Sequence, residues 1–360
     1  MTKSRTKEAP TDINPLAVPK GQSFVCEITG QPAKVMCRGC RLTFYRSHEE
    51  QDLDWRGIHK KICEHVATLR GKKKHFSSES ERKEQIEVEK SLQRILVDIC
   101  KNEARKHLVA QHYDLAIPAG VQALLYSKML YGENSISVIP AYLLLAEANM
   151  GLDRHEMADR YLKFANWAIL KNPNCSNELK SQFFRSFGKL YAHQQKHSEA
   201  IKELSKDVYL CSIEYGPEHL FTATGYYHMA RNFFALGKMD EGLAFCEKIL
   251  EIWHAFLEKA SEPEGGSSIS DFLTEAQIFE GEEILHNIYT TRQQALGIAH
   301  LATAKAGHTL GMMKMRTGQI NEAAQLLEES LNVYQSQLKD KNDSLMLSIL
   351  QMIDELKTMA

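Results

Sequence analysis

From residue 79 onward the apolar positions recur at intervals of three and four, and no stretch alternates with a period of two. Side chains at that spacing share one face of a helix. Leu92, Ile95, Leu96 and Ile99 make the first such stripe, and Ser78 with Glu81 three positions on has the form of a capping box. A long first helix over 79–110 is therefore predicted. At the other end, residues 343–358 carry the pattern of a closing helix.

The helical pattern also repeats. Segments beginning at His112, Arg154, Lys196 and Lys238 align without gaps, with a small residue at Ala116, Ala158, Ala200 and Gly242, one every 42 residues. A fifth match from Gln319 places Ala323 nearly two steps beyond Gly242, and the register between, near Ile284, matches poorly. Tyr131-Gly132-Glu133 and Tyr215-Gly216-Pro217 keep the same count, two full steps apart. Breaks such as MGLD (150–153) and ALGK (235–238) separate an apolar helix from a second one that starts near the small residue. Such a residue lets paired helices approach closely, and Tyr161, Tyr209 and Trp253 are expected to fill the space between units. The array resembles tetratricopeptide repeats and, because its step is longer than that of the standard repeat, the repeats of kinesin light chains. The linker EKASEPEGGSSIS (258–270) is expected to be a flexible insertion that splits the array into a main block and a shorter C-terminal block.

Composition narrows the class. A net charge of −2 and a pI near 6.7 over 360 residues argue against a broad nucleic-acid or acidic-membrane surface. No apolar run approaches the ~20 residues that span a bilayer, and the first 22 residues read as a disordered tail. RGKKKHFSSESERKEQ after residue 69 reads as a solvated linker rather than a localisation signal. Four of the eight cysteines lie before residue 64, whereas Cys100, Cys175, Cys211 and Cys246 stand alone in helical patterns. That usage fits a metal site in a reducing, intracellular compartment.

Cys37 and Cys40 have knuckle spacing, and His59 and Cys63 are one helical turn apart, giving a Cys3His zinc set closed over an 18-residue loop. A redox Cys-x-x-Cys would need a strand–helix–strand setting that is absent here. The order Cys, Cys-x-x-Cys, Tyr, Gln, Trp, His-x-x-x-Cys resembles the MYND-type zinc finger, whose cross-braced fold holds two zinc ions. The resemblance implies that Cys37, Cys40, His59 and Cys63 form the second site. In the first site only Cys26 matches; Thr29, Arg46 and Glu50 stand at the other ligand positions, and a fixed cation at Arg46 repels a metal. One zinc ion is expected, with Cys26 the remnant of a degraded first site and His48 the only other nearby candidate ligand. The family's helix bearing Gln51 and Trp55 forms a shallow groove for proline-rich peptides. Trp55 packing the finger's own core is the plainer alternative, and PLAVP (15–19) is a candidate to fill the groove in cis.

Catalytic signatures are missing from the sequence: there is no phosphate loop, dinucleotide glycine fingerprint, His-Glu-x-x-His or Gly-x-Ser-x-Gly. DKNDSLMLSILQ (340–351) opens like a calcium loop but has Leu345 and Gln351 at the essential Gly and Glu positions. His197, His228 and His254 read as capping or packing residues. The SET methyltransferase domain of some MYND proteins needs a strand-rich region that is not present, so no enzyme is expected.

The predicted fold is all-α: a tetratricopeptide-like helical-hairpin solenoid preceded by a small MYND-type zinc finger. Its expected divisions are a tail (1–22), finger (23–66), linker (67–78), array (79–257), insertion (258–270), and C-terminal repeats with a capping helix (271–360). Finger plus array, with PLAVPKG (15–21), IPAYLLLAEA (139–148), CSN (175–177) and EIWHAFL (251–257), is similar to MYND-finger tetratricopeptide proteins of motile cilia and flagella. That resemblance implies a non-catalytic protein-binding scaffold of the axoneme, in cytoplasm and cilium, needed for flagellar motility. Its implied partners are dynein-arm components and another tetratricopeptide protein. The alternative is a regulatory adaptor that binds proline-rich partners through the finger, for example at chromatin.

Overall fold

A computed structural model describes residues 11–14, 23–71, 78–259, 269, 272–337 and 344–359. PLAVP (15–19), most of the expected tail and insertion, residues 72–77 of the expected linker, and the opening of the 340–351 segment lie outside the described residues. The chain divides into two compact units at Ser186 and Phe187.

Unit one opens with the finger. Val25 and Pro32 pair across a turn at Gly30, and β1 (Val35–Met36) pairs antiparallel with β2 (Phe44–Tyr45). Between the strands the knuckle turns through Arg41, at a positive φ of 55°. Helix α1 (His48–Asp54), capped by the Ser47 hydroxyl, runs through a π-helical turn at Trp55–His59 into α2 (Lys60–Arg70). The finger's helix thus reaches past residue 66 into the stretch expected to be linker.

The array begins with α3 (Glu79–Val109), whose capping box between Ser78 and Glu81 is formed as the sequence implies. It pairs with α4 (Tyr113–Tyr131), and α5 (Ile139–Gly151) pairs with α6 (His155–Lys171). The finger does not stand apart from these helices. Ile58, Ile62, Val66 and Leu69 share one core with Leu96, Val97, Cys100 and Ala104 of α3 and Ala119, Ala123 and Tyr126 of α4. Each such aliphatic side chain stabilises the join by about 1.5–3 kcal/mol. Polar contacts surround it: Lys61 to Glu103 at 2.6 Å, His107 Nε2 to the Gly57 carbonyl at 2.9 Å, and Gln122 Nε2 to Glu27 at 3.3 Å. Gly57 is needed here, because a Cβ would lie 2.7 Å from Pro118 and 2.8 Å from the Leu115 carbonyl.

Helix α7 (Asn177–His193) contains the boundary between units. Unit two continues with α8 (His197–Tyr215), α9 (Leu220–Ala235), α10 (Met239–Lys259), α11 (Glu275–Leu296), α12 (Leu301–Arg316), α13 (Ile320–Gln337) and α14 (Ser344–Met359). Its core includes Cys246, Ile249, Leu250, Trp253 and Leu257 before the insertion, Ile269 within it, and Leu273, Ile284, Leu285 and Leu310 after it. One core includes residues on both sides of the insertion, and the division between the two compact units falls earlier, inside α7.

The repeat register is visible in burial. Helices α8 and α13 bury the small residue and the positions four, seven and eleven later: Ala200, Leu204, Asp207 and Cys211 in α8, and Ala323, Leu327, Ser330 and Tyr334 in α13. Helix α11 shows the same face at Gly281, Leu285, Ile288 and Arg292. The poorly matched unit is therefore registered on Gly281, not near Ile284: it falls just short of a full step after Gly242 and a full step before Ala323. Helix pairs turn through a residue of positive φ at the same register: Gln111, Asp153, Gln195, Gly237 and Gly318. This face also decides the aromatics. Trp253 lies on it and is buried, while Tyr161 flanks it and meets Tyr142 at 6.4 Å. Tyr209, expected to fill space between units, points the opposite way and is 66% exposed.

Of the histidines read as capping or packing, His197 Nδ1 donates to the Asn232 side-chain oxygen at 2.9 Å, and the His254 ring meets His308 edge-on at 5.1 Å. His308 itself is buried, and burial, with His254 adding, lowers its pKa from the usual 6.5 to about 3.

Two stability tests follow from this packing. A Cβ on Gly281 would lie 2.3 Å from the Trp253 ring, so Gly281→Val is expected to lower stability by about 2 kcal/mol or more in urea denaturation. His308 stays neutral when folded while the unfolded chain takes up the proton. Its contribution is complete above pH 6.5 and is lost as pH falls below that value, by roughly 1.4 kcal/mol per unit toward pH 3. Denaturation midpoints of His308→Gln between pH 7.5 and 5 are expected to fall less steeply than those of the unaltered chain.

Candidate metal centre

Four side chains converge beside the knuckle. Cys37 follows β1, Cys40 sits in the turn, His59 ends the π-helical turn and Cys63 is one turn into α2. Their ligand atoms all lie within 4.8 Å of one another. Cys37 and Cys63 sulfurs are 3.8 Å apart, and Cys40 Sγ is 3.5 Å from His59 Nε2. A tetrahedron with metal–sulfur bonds of ~2.3 Å separates its sulfurs by roughly 3.8 Å. The cluster can hold one metal ion. Gly39 makes room for it, since a Cβ there would lie 2.8 Å from Cys63 Sγ.

The electrostatics suit a cation. Cys37 hydrogen-bonds Cys40 and holds that thiol far below its ordinary range, at about 3. The same bond and burial push Cys37 up, and burial raises Cys63. A thiolate is thus favoured at one ligand, and a bound cation favours it at the other two.

Behind His59 stands a group that sequence reasoning missed. Asp54 is fully buried, accepts a 2.6 Å hydrogen bond from the Tyr45 hydroxyl and lies 3.6 Å from His59 Nδ1. Its other oxygen has no hydrogen-bond partner, and burial raises its pKa to about 6. A carboxylate on the far nitrogen of a ligating histidine fixes the ring and its tautomer. Asp54 precedes His59 by five positions, a spacing that does not share a face in an α-helix. The π-helical turn, with Lys60 N–H bonded to the Trp55 carbonyl five positions back, brings the two together. The available signal was a carboxylate near a ligating histidine, without the helix type that aligns them.

The residues at the first-site positions form a different structure. Cys26 Sγ donates to Glu50 at 2.9 Å, and Arg46 pairs with the same carboxylate at 2.8 Å and reaches Gln31 at 3.3 Å. Thr29 is exposed. His48 turns away from Cys26 and meets Asp12 at 3.1 Å. On the helix, Gln51 Nε2 donates to the Met36 carbonyl at 3.1 Å, whereas Trp55 is 40% exposed with its ring 6.1 Å from that of His59.

No family model matches the chain. Solved structures similar to it include the nearly identical TPR-like repeats assigned to a kinesin light chain of Podosopora anserina, at 15% identity and a TM-score of 0.36, over 67% of this chain and 96% of that one. BtubC (BKLC) from P. vanneervenii matches at 13% identity and 0.35, over 71% and 83%. The apo form of RapI matches at 13% and 0.39, over 73% and 71%.

Replacing Asp54 by Asn removes the charge behind His59 and keeps its shape. Metal affinity in competition with a chelator is expected to fall by about 10–100-fold, and Cys63→Ser is expected to abolish stoichiometric binding.

Proposed function

We propose that the chain is a non-catalytic protein-binding scaffold of the ciliary or flagellar axoneme, associated with dynein-arm components and a tetratricopeptide partner, and stabilised by one zinc ion at Cys37, Cys40, His59 and Cys63. The observation that carries the binding role is an exposed aromatic that recurs at one register of the repeat. Trp167 on α6 and Tyr209 on α8 occupy that register, opposite the buried face, and are 55% and 66% exposed. Neither is needed to close its own hairpin. Exposed aromatics at a repeated position are the side chains that dominate protein–protein contacts. On α6 they extend to Phe164 and Leu170, and on α8 to Ile213. In unit two a cleft of about 300 Å³ adds Tyr227, Arg231, Glu283 and Asn287 as polar and aromatic contact groups. The axonemal and dynein assignment rests on the resemblance of the finger-plus-array sequence to ciliary proteins. The zinc assignment rests on the Cys3His donor set, whose soft thiolates and tetrahedral spacing suit that ion.

A second reading has the finger recruit proline-rich partners, for example at chromatin. The exposure of Trp55 favours it over Trp55 serving only as core.

Proximity labelling with the full chain in ciliated cells is expected to recover dynein-arm and tubulin components, and Trp167→Ala with Tyr209→Ala to reduce that recovery at unchanged protein level. Recovery of chromatin proteins instead, lost on Trp55→Ala alone, would establish the second reading. Elemental analysis is expected to give one zinc per chain; two would require ligands at Cys26 and Glu50.

A further inference from the structure

The finger's ribbon has a third strand. Asp12 pairs antiparallel with Val35, Ile13 N–H donates to the Lys34 carbonyl at 2.8 Å, and Met36 N–H donates to the Thr11 carbonyl at 2.8 Å. Thr11 is buried, and the Asp12 carboxylate meets His48 on α1 at 3.1 Å. The carbonyl of Met36 is taken by Gln51. The free edge of β1, beside the helix that carries Gln51 and Trp55, is thus filled by the chain's own residues 11–14.

We infer that residues 11–14 are a displaceable strand that closes the β1 edge of the finger to extended segments of other proteins. The backbone groups they use, the Lys34 carbonyl and the Met36 N–H, are those any added strand must use. A competing segment would have the same chemistry: extended backbone with a carboxylate opposite His48. The closure is reversible in kind. Its contacts include two backbone hydrogen bonds and one solvent-exposed pair whose side chains screen readily, beside the burial of Thr11. Tethering supplies what affinity the short strand lacks, because the attached segment competes at an effective concentration in the millimolar range. This inference stands apart from the scaffold role and from any preference of Trp55 for proline.

The test uses the full chain with Ile13→Pro, which removes the Ile13 N–H and leaves the finger's ligands and core intact. The probe is a fluorescein-labelled peptide of residues 8–19, EAPTDINPLAVP. The variant is expected to bind it at least about tenfold tighter than the unaltered chain by fluorescence anisotropy, since the weakened strand no longer competes. Independently of any variant, the Met36 amide of the unaltered chain is expected to exchange with solvent deuterium at least about tenfold more slowly than an unpaired amide. Equal affinity of both proteins, absence of binding to the variant, or an unprotected Met36 amide would each overturn the inference.

Discussion

Five helical hairpins among the described residues depend on how closely two helix backbones can approach at one repeated position. The small residue at Ala116, Ala158, Ala200, Gly242, Gly281 and Ala323 is only half of that constraint. At one matching register on the preceding helix stand Ala104, Ala146, Gly188, Ala230 and Gly311. Gly188 has no room for a Cβ because Leu204 fills it, and Gly311 meets Leu327 in the same way. Gly242 gives its space to Phe234, and Gly281 to Trp253. At each of these glycines a large side chain from a neighbouring helix takes the space that a Cβ would fill, as close packing requires. Fixing that approach fixes the rotation of each helix, and with it which side chains are left outside. Trp167 and Tyr209 are exposed because they lie opposite the closing face.

The same economy of space joins the finger to the array. The π-helical turn at Trp55–His59 sets Asp54 behind His59, and it also presents Gly57 and Ile58 to α4. One irregular turn therefore shapes both the ligand set and the join. Residues that would be the solvent face of an isolated finger, Ile62, Val66 and Leu69, are core here. The candidate ligand set, the finger's packing and the first hairpin adjoin one shared core of unit one, not a module on a string.

What was legible in the sequence was local and periodic. Helical spacing revealed the helices, a constant step revealed the hairpins, and Cys-x-x-Cys with His-x-x-x-Cys revealed the cluster, because each pattern repeats or closes over a short count. What was hidden depended on a change of period or on distant partners. Gly281 was missed because the step that contains the insertion is shorter than the others. Asp54 was missed because a spacing of five aligns only on a π-helix. Tyr209 was assigned to the interior because aromatic character was weighed without its helical phase. The strand at residues 11–14 carries no apolar alternation; it pairs with β1 through backbone hydrogen bonds, and β1 is distant in the chain.

The finger is consequently held by two kinds of force. Around Cys37, Cys40, His59 and Cys63 the donors are arranged for a cation, and a cation there neutralises the thiolates and fixes the imidazole against Asp54. Around Cys26 the ligand positions carry Thr29, Arg46 and Glu50, and a thiol–carboxylate–guanidinium chain replaces coordination. A chain of that kind gives direction but little energy where it reaches solvent. Backbone pairing supplies the remainder: Cys26 N–H to Gln31, Ala33 N–H to Phe24, and residues 11–14 along β1. Among the described residues, hydrogen bonding rather than a ligand set thus holds the turn around Cys26.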